Sequence, residues 1–138
     1  MALVIIQARM DSTRLPGKVM MKIRGKPLLY YVINQIRGSR FKPNIIVATT
    51  NLSNDDIIAS FSESQNVEIF RGSENDVLDR FYQCTKKFNG NTIVRICADS
   101  PFIDYNLIDE CFTKFEESNI DYLSNTIIKH GDTWKEDQ

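Results

Sequence analysis

The segment QARMDSTRLPGK, Gln7 to Lys18, places Arg9, Arg14 and Lys18 in one short loop against a single carboxylate, Asp11. Like charges that close repel unless an anion arrives, and guanidinium, ammonium and backbone N–H groups together suit the oxygens of a polyphosphate. A carboxylate facing such a loop would suit Mg²⁺, which takes one or two protein carboxylates and completes its shell with water and phosphate oxygens. Asp99, closing the run TIVRICAD, is the candidate. The competing readings are a solvated charged turn for the three cations and a turn cap before Pro101 for Asp99. In RGSENDVLDRF, Arg71, Asp76 and Arg80 read equally well as surface charges, with Asp76 and Arg80 paired four residues apart on a helix.

Several chemistries fall away. Gly17-Lys18 has no glycine five residues before it and Val19 after it, so the loop is not a Walker A sequence, and no G-x-G-x-x-G dinucleotide fingerprint exists. The one histidine, His130, lies in a polar C-terminal stretch, which excludes a histidine metal cluster and disfavours a Ser-His-Asp triad. Cys84, Cys97 and Cys111 show no C-x-x-C spacing and read as buried free thiols. A net charge of −1 argues against a general nucleic-acid or membrane-surface binder, so any positive site must be local. No apolar run approaches a membrane span and no signal-peptide pattern opens the chain, which makes a cytoplasmic protein the expectation.

The elements that position these residues follow from periodicity. ALVIIQA is a continuous apolar run of strand length, suited to a strand covered on both faces. Leu28, Leu29, Val32, Ile33 and Ile36 recur at helical spacing behind Pro27, giving a helix over 27–37 that Gly38 stops. NIIVATT is a second strand, and Ser53 with Asp56 reads as a variant capping box before a second helix. VEIFRG is a third strand; Val77, Leu78, Phe81, Cys84 and Phe88 form the apolar stripe of a helix over 76–88. TIVRICAD is the fourth strand, Asp104 caps a helix burying Leu107, Ile108, Cys111, Phe112 and Phe115, and IDYLSNT forms a fifth strand.

This alternation predicts an α/β layered domain with a mainly parallel sheet over residues 1–126, followed by a polar, frayed tail over 127–138. In such sheets ligands sit beyond the carboxyl ends of the strands where strand order reverses. If the order is 3-2-1-4, the fourth strand lies beside the first, and Asp99 faces Arg9, Arg14 and Lys18.

These residues carry a resemblance. IIQARMDSTRLPGKVM is similar to the N-terminal signature of the cytidylyltransferases that activate acidic sugars, the acylneuraminate and 3-deoxy-manno-octulosonate cytidylyltransferases, and within that group most resembles the spore coat polysaccharide biosynthesis protein F family. VATTNLSNDD, RGSENDVLDRFYQ, VRICADSPFID and DYLSNT continue the likeness in family order over residues 3–126. The resemblance implies a Rossmann-like three-layer sandwich of the nucleotide-diphospho-sugar transferase type that uses CTP and Mg²⁺ to make a CMP-sugar and pyrophosphate for surface polysaccharide. By that likeness Gln7 and Ala8 lie against the base through their backbone, and Arg9, Arg14 and Lys18 hold the triphosphate. By the same likeness Arg71 and Ser73 shape the nucleotide pocket and Asp99 binds the metal; the chemistry of in-line transfer adds the expectation that Arg14 and Lys18 stabilise the leaving pyrophosphate.

Members of that family continue well past the DYLSNT block, whereas here the chain turns into IIKHGDTWKEDQ. The resemblance therefore implies a C-terminally truncated fold with the nucleotide half present and the acceptor half absent. An uncovered sheet edge or apolar face would invite a homodimer or a C-terminal partner segment. Two alternatives stay open: a nucleotide-binding module without turnover, and a metal-dependent glycosyltransferase of similar fold, although Asp99-Ser100-Pro101 lacks the second carboxylate of a D-x-D pair.

Overall fold

The N-terminal apolar run becomes the centre of a parallel sheet because β-branched residues fill both of its faces. A computed structural model describes residues 2–11, 15–89, 92–98 and 104–117. In chain order the elements are β1 (Ala2–Gln7), β2 (Lys22–Ile23), β3 (Lys26–Pro27), α1 (Leu28–Ile36), β4 (Asn44–Thr50), α2 (Asp56–Ser64), β5 (Glu68–Gly72), α3 (Val77–Phe88), β6 (Thr92–Cys97) and α4 (Tyr105–Glu117). The four long strands run parallel in the order β5-β4-β1-β6, so the expected arrangement with the fourth major strand beside the first is present. Gln7, the last residue of β1, stands opposite Ala48 on one side and Cys97 on the other.

Helices cover both faces, unequally. Val4, Ile6, Ile45, Val47 and Ile96 pack against Leu29, Val32, Ile33 and Ile36 of α1, Ile58 of α2, and Ile108 and Phe112 of α4. Among the described residues the opposite face, Leu3, Ile5, Ile46 and Ala48, meets one helix, α3, through Cys84 and the partly buried Phe81 and Phe88. Side chains alternate between faces along each strand, so Gln7 follows Leu3 and Ile5 onto the α3 side.

A short antiparallel hairpin, β2 with β3, was not legible in the sequence. Its turn residues Arg24 and Gly25 have φ of 53° and 81°, the two positive values that a tight hairpin turn of this hand requires. It follows the cationic loop directly.

Four expectations are corrected. Ser53 and Asp56 form no capping box: Ser53–Asp55 is a single 3₁₀ turn, and no side chain caps α2. The apolar stripe of α3 is rotated, because Val77 and Leu78 are exposed, Leu78 by 76%, while Arg80 and Cys84 are the buried residues. Asp76 does not pair with Arg80; it caps α3, accepting the Asp79 N–H at 2.9 Å. Cys97 is exposed, Cys111 is half-buried, and only Cys84 is the buried thiol expected of all three. Burial pushes the Cys84 thiol up to about 11 despite the opposing charge of Lys87. The expected fifth strand and the tail over 127–138 lie outside the described residues.

Candidate functional site

The carboxyl end of β1 is held on both sides. Ala8 N–H donates to the Ala48 carbonyl at 3.1 Å, and Ala98 N–H donates to the Gln7 carbonyl at 3.0 Å. The chain leaving the sheet at Ala8 therefore has a fixed start, which a loop must have if it is to hold a ligand in register.

Asp55 anchors that loop. It is 1% exposed, and its carboxylate accepts the Met10 N–H at 2.7 Å and the Thr50 hydroxyl. Beside it the Asn54 side-chain amide donates to the Asp11 carboxylate at 2.8 Å. The turn between β4 and α2 thus holds the first residues of the cationic loop, and Asp11, its one carboxylate, is engaged there. Further along, Gly17 N–H donates to the Met10 carbonyl at 2.8 Å, closing the loop on itself. Gly17 has φ of 77°, a left-handed conformation in which a Cβ would be strained, and it starts the 3₁₀ turn Lys18–Met20. Val19 in that turn is buried in the core, so the turn carrying Lys18 is pinned from below.

Of the cations picked out in the loop, Arg9 and Lys18 are described and both are part-buried; Arg14 lies outside the described residues, as does Asp99. Arg9 has its Nε buried with no hydrogen-bond partner. The one ion pair among the described residues is Arg71 with Asp56, at 2.8 Å, so neither Arg9 nor Lys18 is neutralised by a described carboxylate.

Arg71 and Ser73 flank the site in different ways. Arg71 donates from Nε to the Thr50 carbonyl at 2.7 Å and from Nη2 to the Leu52 carbonyl at 2.8 Å, in addition to its pair with Asp56. Its guanidinium braces the β4–α2 turn, the same turn that carries Asp55. Ser73 offers its hydroxyl to the Asp76 N–H at 3.1 Å and its carbonyl to Arg80 at 2.7 Å.

Arg80 is the residue that sequence reasoning missed. It is 2% exposed, a rare state for an arginine unless it is paired. Among the described residues its guanidinium has no carboxylate partner; Nη1 donates to the Ser73 carbonyl, Nη2 donates to Gln7 Oε1 at 3.2 Å, and Nε is buried without a partner. Its pKa is lowered, first by burial and then by the positive charge of Arg9; Asp55 opposes this, and Arg95 adds to it. Gly72 makes the room, since a Cβ there would come within 3.0 Å of the Arg80 side chain and of the Phe70 ring. Two signals pointed to a buried Arg80: it sits four residues before Cys84 and eight before Phe88, on the inward face of the same helix.

The arrangement gathers guanidinium and ammonium groups at the carboxyl ends of the strands and leaves buried donors of Arg9, Arg80 and Gln7 without acceptors. Buried donors in this state are costly unless a ligand supplies oxygens or ring nitrogens. No group of three histidine, cysteine, aspartate or glutamate residues among the described residues could hold a metal, and Asp55, the buried carboxylate nearby, is already committed to Met10 and Thr50.

The likeness noted in the sequence extends to known proteins. A cytidylyltransferase family model matches residues 3–134. The spore coat polysaccharide biosynthesis protein SpsF of Bacillus subtilis is 38% identical over 124 residues, 87% of this chain and 52% of that protein. A cytidylyltransferase from Leptospira borgpetersenii serovar Hardjo-bovis superposes with a TM-score of 0.82 at 34% identity, over 86% of this chain and 50% of its own. CMP:2-keto-3-deoxy-manno-octonic acid synthetase complexed with CTP shares the fold, with a TM-score of 0.72 at 21% identity over 83% of this chain and 47% of its own. This chain spans about half the length of the relatives it matches. With the sequence blocks, the strand order and the family match in agreement, the chain belongs to the cytidylyltransferase family.

Proposed function

We propose that this chain binds CTP at the carboxyl end of β1 and carries the nucleotide-handling part of a cytidylyltransferase that transfers CMP to a sugar, an acidic one, for surface polysaccharide. The observation that carries the reading is the set of buried, partnerless donors on Arg9 and Arg80 beside a loop whose cations have no described carboxylate to neutralise them. Such a crevice suits a triphosphate, and its place at the strand-order switch point is where open parallel sheets take their ligands.

In this reading Arg9, Arg14 and Lys18 hold the phosphates, and the Gln7–Ala8 strip lies against the base. Arg71 and Ser73 shape the pocket by fixing the turns on either side of it. A sugar oxygen attacks the α-phosphorus in line, the bond to the β-phosphate oxygen breaks, and pyrophosphate leaves. Arg14 and Lys18 neutralise the charge that develops on it, so the protein works by positioning and electrostatics. Asp99 is the proposed protein ligand of Mg²⁺, which would supply further charge neutralisation on the phosphates. Its support is that Ala98, the residue before it, is bonded to the end of β1.

Calorimetry with CTP, ATP, GTP and UTP, with and without Mg²⁺, tests the reading on the chain and on Asp99→Ala. Selective CTP binding that strengthens with Mg²⁺ and weakens in the variant is expected. Absence of nucleotide binding would assign the cations to another anion.

A further inference from the structure

We propose that Arg80 is a positioning residue that sets base selectivity by fixing the side-chain amide of Gln7, so that Nε2 presents its N–H groups to the ring-nitrogen acceptor of cytosine. This rests on the CTP reading above and adds a side-chain contact to the backbone strip assigned there.

The orientation follows from chemistry alone. A guanidinium is all donor and no acceptor, so only the carbonyl oxygen of a glutamine amide can face it. The 3.2 Å contact from Arg80 Nη2 to Gln7 Oε1 therefore forces Nε2 to the other side. There Nε2 is buried without a partner, on a residue that is 9% exposed, at the last position of β1. Arg80 cannot readily turn away, because Nη1 is held by the Ser73 carbonyl at 2.7 Å and its stem lies close against Gly72. Ser73, Arg80 and Gln7 thus join the chain just after β5, the first turn of α3 and the end of β1 through Arg80's hydrogen bonds.

A fixed donor at that point discriminates. The N3 of cytosine carries a lone pair and accepts from Nε2, whereas the N3 of uracil carries hydrogen and would meet Nε2 donor to donor. Burying two opposed donors leaves both unsatisfied, which is the strong form of selectivity. If Arg80 lost its donors, the amide could rotate, and Oε1 could accept the uracil N3–H equally well.

The test measures CTP and UTP dissociation constants on the full chain, on Arg80→Met and on Gln7→Glu, with circular dichroism to confirm folding. The parent should prefer CTP, and in Arg80→Met the CTP/UTP preference should fall by about tenfold or more. Gln7→Glu keeps a partner for Arg80, here an ion pair, but replaces the free donor by an acceptor, so its preference should shift toward UTP. It reads the same ratio even if Arg80→Met does not fold. A preference unchanged within about threefold in the folded variants overturns the proposal, as does a uniform weakening of both nucleotides, which would make Arg80 a phosphate counter-charge. A parent that binds CTP and UTP equally overturns it while leaving nucleotide binding intact. A parent that binds no nucleotide overturns the CTP reading and this inference together.

Discussion

The two faces of the sheet are built from the same strands and do different work. On the side of α1, α2 and α4 the packed cluster is apolar, with Thr49 and Ser62 as buried polar exceptions, and Phe112, Ile33, Ile36 and Ile58 are fully buried or nearly so. On the other side the one helix among the described residues, α3, brings an arginine to its buried face and turns Leu78 and Tyr82 outward. The first face follows the rule that amphipathic helices bury their apolar stripe. The second breaks it at Arg80, and the break coincides with the wall of the candidate site. Violations of local rules that persist in a folded protein cluster at functional positions, where a ligand supplies what the fold lacks.

If that contrast is sound, the largest loss of stability should come from the conventional face. Phe112 is 1% exposed between α4 and the sheet, and Phe112→Ala should destabilise the chain by about 3–5 kcal/mol through lost burial and the cavity left behind. Denaturant unfolding measures this. A change below about 1 kcal/mol would mean that the α4 layer packs loosely, and the contrast between faces would fail on its better-understood side.

Much of that conventional face was legible from spacing alone. Leu28, Leu29, Val32, Ile33 and Ile36 gave α1, and all five are buried. The β-branched runs gave β1, β4 and β6, and the strand order followed once the alternation with helices was taken as parallel. The errors fall where a side chain answers to a distant partner instead of its local period. Asp55, between the Ser53 and Asp56 read as a helix start, was not singled out, yet its carboxylate serves Met10, 45 residues away. Arg80 looked like a surface partner for Asp76, but its donors reach Ser73 and Gln7, the latter 73 residues away. Val77 and Leu78 were read as core because apolar residues at helical spacing suggest it, yet the helix is rotated to bring Arg80 inward. Of the loop, the cations were readable, while the turn at Gly17 and the clamp from Asp55 and Asn54 required the fold.

The site itself should separate turnover from stability. Lys18 lies on a turn anchored by Val19, and nothing described neutralises its charge. Lys18→Ala should therefore leave thermal unfolding nearly unchanged and lower the rate of CTP-dependent pyrophosphate release by on the order of 100-fold or more, as expected for one preorganised stabilising group. A variant within about threefold of the parent would remove Lys18 from the proposed chemistry. A variant that lost stability as well would place Lys18 among the structural contacts of the loop and blur the distinction drawn between the two faces.

The smallest effect should arise on the outer side of α3. Leu78 is 76% exposed and contributes little burial to the core beneath it. Isolated surface substitutions of this kind change stability by roughly 0.5 kcal/mol or less. Leu78→Ser should accordingly unfold with the parent at every protein concentration, even though an apolar-to-polar change on a helix that truly buried this residue would be severe. Leu78 and Tyr82 stand four residues apart and share one side of the helix, so the same variant also asks whether that side is covered in solution. A loss of 2 kcal/mol or more, growing with protein concentration in the parent but not in the variant, would show that a second molecule packs there, and α3 would then be a helix with two buried sides instead of one.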